Sequence, residues 1–224
     1  MNKVLGKRAV SEQQKGVRRE SVLSAARRLF IDAGFFDVSM SMIAKEAKVA
    51  KGTVYLYFKT KEEIFLELSK RDFEDWFDCL YARIEAESKP LTNRDFSDLF
   101  SETLRGRETA IRLMSLLHLV LEKNVSYDDV LEYKLALLQK SAKLSELVEE
   151  TLPFLSKGEG IQLLAKIHSL LIGWGQMCDV SPVVDQVLEH EMLADLRFDF
   201  HSHFTESLFL LLEGMKSATF FASK

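Results

Sequence analysis

Helix breakers and crosslinkers are scarce in this chain. Its 224 residues include 3 prolines and 10 glycines, too few for a collagen-like, proline-rich or turn-dense all-β protein. Two cysteines, Cys79 and Cys178, cannot build a disulfide framework and suit a reducing cytoplasm, where the protein is expected to reside. No stretch approaches 18 uncharged apolar residues, so no membrane span is expected. The first twenty residues, MNKVLGKRAVSEQQKGVRRE, lack the apolar core of a secretory signal. Runs of alternating Val, Ile and Thr, internal repeats and low-complexity tracts are also missing. Apolar residues make up 47% of the chain and charged residues 29%. That mixture can bury a core without staples, as one large domain or two small ones.

Charge is divided unevenly along the chain. Residues 1–61 carry 13 Lys and Arg against 5 Asp and Glu, whereas residues 62–224 carry 17 against 29. A net of −4 therefore conceals a basic head on an acidic body. The acidic body repels phosphate, so contact with a polyanion is expected only at the head. A basic, solvated arm with no partner would produce the same imbalance, and motifs must separate the two readings.

The apolar periodicity is helical throughout, and the expected fold class is all-α. Residues 1–14 are polar and basic without a period and read as a disordered arm. Val22, Ala25, Ala26, Leu29, Phe30 and Ala33 recur at helical spacing, and Gly34 stops that helix. Ser39 is placed to cap a short second helix bearing Ile43, Ala44 and Ala47. After a tight turn at Lys48-Val49, a third short helix is expected over residues 51–58. Thr60 and Glu63 form a capping-box pattern opening a long helix to about Glu87. Further helices are expected at about 92–104, 108–122, 127–151, 159–179 and 184–216.

Three short helices, a tight turn before the third and a basic balance describe a helix-turn-helix, here about residues 38–57. A helix that enters the major groove needs polar side chains and little bulk near its N-terminus, and Lys51, Gly52 and Thr53 supply them. Thr53 offers a hydroxyl and a methyl to a base edge, and Tyr55 and Tyr57 can place phenol hydroxyls on phosphates. Lys61 can reach a phosphate beside the N-terminus of the next helix. Ser39 and Leu56 complete the expected DNA-facing set.

The segment SMSMIAKEAKVAKGTVYLYFKTKEEIF, residues 39–65, resembles the signature of the TetR family of one-component transcriptional regulators. Matching positions include Ile43, Ala44, Ala47, Val49, Lys51, Gly52, Thr53, Tyr55, Tyr57, Phe58, Lys61, Glu62 and Glu63. The likeness covers about residues 15–75. Three positions depart from the pattern. Lys48 stands where glycine is usual, at a cost of about 1 kcal/mol if its φ is positive. Ala50 removes a cap worth about 1 kcal/mol. Ser41 replaces a common arginine.

The resemblance implies a helix-turn-helix DNA-binding domain over residues 15–75 and a helical ligand-binding and dimerisation domain over residues 76–224. It implies double-stranded DNA, a small apolar effector and a second copy of the chain as partners, with no membrane partner and no cofactor. The dimer face is expected from Leu164, Leu171 and Gly175 on one helix and Phe200, Phe204, Leu208 and Leu211 on another. Two such helices from each subunit can form a four-helix bundle. Effector-pocket candidates are Phe96, Phe100, Met114 and His118, with Tyr133, His168, Trp174 and Met177. Ordinary core packing is the competing reading for each of these stripes.

Three patterns are set aside. His201 and His203 point to different faces of a helix and do not suit one metal ion. Gly158-Glu159-Gly160 lacks the strand and third glycine of a dinucleotide loop. The pairs Asp128-Asp129 and Glu149-Glu150 diverge on a helix and read as solvated charge. No catalytic constellation stands out, so the expected function is non-enzymatic: a repressor binding a palindromic site as a dimer and released by its effector. An activator of the same fold is the nearest alternative. A helical lipid-binding protein or enzyme with a vestigial head is a more distant one.

Overall fold

The computed structural model describes residues 2–222, with side chains from residue 14 to residue 218. The described residues are helical between turns, as the periodicity requires. The chain divides into two units, Met1–Leu68 with His118–Val130, and Ser69–Leu117 with Leu131–Lys224.

The first unit contains α1 (Asn2–Asp37), α2 (Met40–Glu46), α3 (Lys51–Tyr55) and the start of α4 (Lys61–Glu85). Helical backbone runs from Asn2, where the sequence suggested an irregular arm over residues 1–14. That stretch has no proline and is rich in Lys, Arg, Gln and Glu, which favour helix. The side chains of residues 1–13 lie outside the described residues. The regular backbone of α1 breaks at Gly34 (φ 76°, ψ 173°), where a left-handed φ turns the chain toward α2. Val22, Ala25, Ala26 and Phe30 of α1 are buried with Ile43, Val54, Phe58 and Phe65. Phe65 packs against Phe30 and Phe35 with ring centroids 5.4 and 5.3 Å away.

The segment 118–130 belongs to this unit although it lies far along the chain. Thr60 Oγ1 donates to the Asn124 carbonyl (2.9 Å), and Asn124 Nδ2 donates to Glu62 Oε2 (3.3 Å). The two units meet on α4 after Leu68, and the sequence motif suggested a boundary near residue 75.

The second unit contains the rest of α4, α5 (Asn93–Glu102), α6 (Glu108–Leu116), α7 (Tyr127–Thr151) from Leu131 onward, α8 (Glu159–Cys178), α9 (Pro182–Val187) and α10 (Phe200–Ala222). Helices α4 and α7 run parallel there, since the ion pairs Lys70–Glu132 and Lys140–Asp78 both join residues 62 positions apart. Helices α6 and α8 are antiparallel: Gln176 donates to the Ser115 carbonyl, and Arg112 pairs with Asp179. Helices α5 and α10 are also antiparallel, linked by Asn93–Glu213 and Ser101–His201. Their shared core includes Phe96, Phe100, Ile167, Phe204, Leu208 and Leu212.

Two expected helices are interrupted. The helix expected over 108–122 ends at Leu116 and continues as one π-helical turn, Leu117–Leu121. The helix expected over 184–216 is three pieces: α9, a 3₁₀ turn (Glu191–Leu196) and α10. Polar side chains take backbone donors there. Ser181 accepts from Val184 N, His190 Nδ1 from Met192 N, and Asp199 from Ser202 N at 2.8 Å. Such local bonds compete with a continuous helix. Among the described residues, no helix is long and apolar enough to cross a membrane.

Candidate nucleic-acid interface and effector cavity

Helix α2 begins at Ser39, whose Oγ accepts from Met42 N at 3.3 Å. It ends in a turn in which Lys48 N donates to the Lys45 carbonyl (3.1 Å) and Val49 N to the Ala44 carbonyl (3.0 Å). Those two bonds are the Schellman pattern, which places its left-handed residue at position 48. Lys48 adopts φ 55° there and is the one non-glycine residue with positive φ among those described. The turn thus keeps the geometry that glycine normally supplies, at a conformational cost. Helix α3 opens at Ala50 with no side-chain cap, as its methyl requires.

Val54 is the only buried residue of α3. It anchors the helix while Lys51, Gly52, Tyr55 and Leu56 face solvent, with Thr53 and Tyr57 half-buried. Leu56 is 80% exposed, an unusual position for a leucine unless it meets a partner. A Cβ on Gly52 would meet nothing within 4 Å, so this end of α3 is open to a close approach. Lys51 Nζ lies 5.9 Å from the Tyr55 ring centroid on the same exposed face.

Lys61 occupies a different setting from Lys51, the other basic residue of this set. Its Nζ donates to the carbonyls of Phe35 (2.8 Å), Val38 (2.9 Å) and Phe36 (3.4 Å). It also sits 4.3 Å from the Phe35 ring centroid. An ammonium has three N–H donors. Here they tie the α1–α2 connector to the first turn of α4, whereas the sequence suggested a phosphate contact. Thr60 Oγ1 accepts from Glu63 N, the expected half of the capping box. The Glu63 carboxylate takes Lys59 N at 2.6 Å.

The second unit holds an apolar cavity of about 330 Å³, at the lower end of the range for small-molecule sites. Phe100, Met114, Tyr133 and His168, all expected, line it together. The other four candidates lie elsewhere. Phe96 is fully buried in the core, and His118 is exposed in the first unit with Nδ1 3.1 Å from Glu122 Oε2. Trp174 donates to Ser207 Oγ (3.0 Å) and packs on His203, and Met177 is 48% exposed. Phe73, Trp76 and Phe77 of α4 form one cavity wall, and their helical spacing alone does not distinguish a wall from core. Lys134 and Ser141, also lining it, carried a readable signal: polar residues on the same turns of α7 as Tyr133 and Leu137.

The expected dimer stripes are mostly internal. Leu164 and Leu171 line the cavity, and Phe204 and Leu208 are fully buried. Phe200 stacks on Phe204 at 5.5 Å, and Leu211 packs against the same core. A Cβ at Gly175 would lie 2.6 Å from Ser115 Oγ and 2.9 Å from Ile111 Cγ2, so this glycine serves the α6–α8 contact.

The patterns set aside in the sequence have structural roles. Glu149 Oε1 accepts from Gly158 N (2.8 Å) and Gly160 N (2.9 Å), capping the start of α8. His201 contacts Ser101 Oγ, whereas His203 Nδ1 lies 2.8 Å from the Asp199 carbonyl. Burial, then the Arg105 charge, lowers the His201 pKa from its ordinary value.

Family comparisons agree with this layout. Residues 22–68 match the model of bacterial regulatory proteins of the tetR family, and residues 70–219 match that of the tetracyclin repressor-like C-terminal domain. An uncharacterized HTH-type transcriptional regulator of Haemophilus influenzae is 40% identical over 78 residues, covering 35% of this chain and 41% of that protein. The fatty acid metabolism regulator protein of Bacillus subtilis is 41% identical over 58 residues, covering 26% and 30% of the two chains. These alignments span less than half of either relative's length. Among solved structures, a putative transcriptional regulator from Rhodococcus sp. RHA1 superimposes with a TM-score of 0.61 at 14% identity, over 88% of this chain and 95% of that one. The fatty acid degradation regulator FadR from Bacillus halodurans gives 0.56 at 16% identity, over 87% and 94%. A capped three-helix head with an outward recognition helix, a helical body, and family models matching both parts lead to one conclusion: the chain belongs to the TetR family of DNA-binding transcriptional regulators and is not an enzyme.

Proposed function

We propose that this regulator is a repressor that binds a palindromic operator as a homodimer and leaves it when a small, largely apolar effector enters the body cavity. The observation that carries the reading is α3: one buried anchor, Val54, and an exposed face of Lys51, Gly52, Tyr55 and Leu56. Lys51 and the hydroxyls of Tyr55 and Tyr57 serve phosphates, while Thr53 and Leu56 face base edges and thymine methyls. Ser39, at the N-terminus of α2, offers its backbone to a phosphate. Lys61 holds the α1–α2 connector in place.

Two copies present two such helices to successive major grooves, about 34–36 Å apart or wider. Because the expected apolar stripes are internal, the surface that supports pairing is the outer side of α8 and α10. Ser169 and Gly173 are exposed there with Leu210 and Gly214. A Cβ at either glycine would meet nothing within 4 Å, which permits close helix approach. The effector acts by binding the DNA-incompetent population more tightly.

Selection of bound fragments from a random DNA pool, with light scattering of the recovered complex, tests the proposal. The expected result is a palindrome carrying two chains, with its affinity reduced by an effector. A non-palindromic site bound by one chain would overturn the dimeric reading.

A further inference from the structure

We infer that the segment joining α8 to α10, residues 179–199, is an arm that packs against a second copy of this chain. This rests on the homodimeric reading above and extends its α8–α10 face. From Asp179 to Asp199 no residue is buried, and only Leu188, Leu193 and Phe198 are half-buried. The segment still has regular structure: α9 and the 3₁₀ turn, capped by the side chains of Ser181 and His190. The six residues of α9 are too few for a helix to persist in water unaided. Packing from outside the subunit is what such a helix lacks.

The arm is apolar where it is bare. Val183 is 71% exposed and Met192 86%, and Val180, Val184, Val187 and Leu196 are exposed as well. Arg197 Nη2 donates to Asp185 Oδ1 at 3.4 Å, which ties α9 to the residue after the 3₁₀ turn and folds the segment on itself. Both ends are fixed to the body. Arg112 Nε donates to Asp179 Oδ2 at 3.1 Å, and the Phe198 ring lies 5.6 Å from the Trp174 ring. Exposed apolar side chains on an anchored segment, rimmed by polar ones, mark an interface.

Position, area and charge select a second copy as the occupant. The arm leaves α8 after Cys178 and enters α10 at Phe200, so it borders both helices of the pairing face. That face is short of apolar surface by itself. Ser169, Gly173 and Gly214 add little to it, and Leu210 and Met177 are its large exposed apolar residues. A standard interface takes about 800 Å² from each partner, around an apolar centre. The arm supplies what the two helices lack. Its residues include six Asp and Glu against one Arg, which repels DNA and anionic lipid. A second copy instead offers Lys166, exposed on the turns of α8 that carry Ser169 and Gly173.

Sedimentation equilibrium of the full chain, wild type against the double variant Val183→Ser with Met192→Ser, reads the dimer dissociation constant. Both side chains are exposed in the subunit, so the variant should keep the wild-type circular dichroism while that constant rises about a hundredfold. Crosslinking gives a second readout. Chains with p-benzoylphenylalanine in place of Met192 are made with light and with heavy nitrogen and mixed, with subunit exchange followed by native mass spectrometry. Irradiation should yield crosslinked peptide pairs that combine one light and one heavy member. A double variant that pairs as tightly as the wild type, or crosslinks confined to one isotope after complete exchange, would overturn the inference. If the double variant pairs normally while Gly173→Ala loosens the dimer, pairing through α8 and α10 stands and the arm alone loses its role. A wild type that stays monomeric at every concentration removes both.

Discussion

Helix α3 in the head and helix α8 in the body use burial in opposite ways. The first has five residues and buries one, Val54, so nearly all its side chains are available to something outside. The second has twenty and buries six, and part of its inward face lines a cavity. A short helix with a single anchor can be held only by its neighbours, which is why the head carries its bonds in the turns: the Ser39 cap, the Lys48 turn and the Lys61 ammonium. A long helix with a broad buried face is held by its own packing and can leave a void beside it. Presenting side chains outward and walling a cavity thus call for different distributions of the same apolar material.

Two of the three glycines of α8, Gly173 and Gly175, sharpen that contrast and give the largest expected stability effect. At Gly175 a methyl would collide with Ile111 and with Ser115, whose hydroxyl already donates to the Ile111 carbonyl. Gly175→Ala should destabilise the body by about 1–3 kcal/mol through overpacking, seen as a lower melting temperature. At Gly173 a methyl meets nothing in the subunit. Gly173→Ala should stabilise the helix of an isolated subunit by up to about 1 kcal/mol. Because the residue lies on the proposed pairing face, the same change should shift sedimentation toward monomer. A melting temperature unchanged by Gly175→Ala would mean that α6 and α8 have room to part.

The head's local signals could be read from the sequence because each spans only a few residues. Ser39 and Thr60 cap helices at the expected positions, Gly34 breaks α1, and Lys48 takes the left-handed turn despite its side chain. What escaped the reading depends on distant partners. The position of Lys61 next to a helix start suggested phosphate, and nothing nearby in sequence shows that three carbonyls 23 to 26 residues earlier surround its ammonium. In the body, an apolar stripe has the same period whether it meets a second subunit, a cavity or its own core. Leu171 and Phe204 illustrate this: one lines the cavity and the other is fully buried in the core. Four of the eight candidates, Phe100, Met114, Tyr133 and His168, line one cavity, as aromatic and polar-tipped residues suit such walls. The others face elsewhere: Phe96 into the core, Trp174 onto Ser207, Met177 to solvent, and His118 from the π-helical turn in the first unit.

Lys51 and Lys61 test the division between outward and inward roles within the head itself. Lys61→Met should lower stability by about 1–2 kcal/mol through loss of its bonds to the connector. The slope of operator affinity against salt should then stay at the wild-type value under conditions where the protein is folded. Lys51→Ala should leave the melting temperature unchanged and reduce that slope by about one unit, because one phosphate contact is lost. Exchanged outcomes for the two lysines would reverse their assigned roles.

The smallest effect concerns Lys48. A left-handed φ costs a non-glycine residue about 1–2 kcal/mol. Glycine removes that cost but has more freedom to lose on folding, by about 0.5–1 kcal/mol. Lys48→Gly should therefore raise stability by under about 1 kcal/mol, measured as a small increase in the denaturation midpoint with an unchanged slope. Because Lys48 lies in the turn after α2, three residues before α3 begins, the same variant also reports whether its positive charge matters for DNA. A stabilised variant with the wild-type salt dependence would make position 48 a purely conformational site. A stabilised variant with a shallower slope would add Lys48 to the phosphate contacts and would explain why a residue unsuited to the turn is present there.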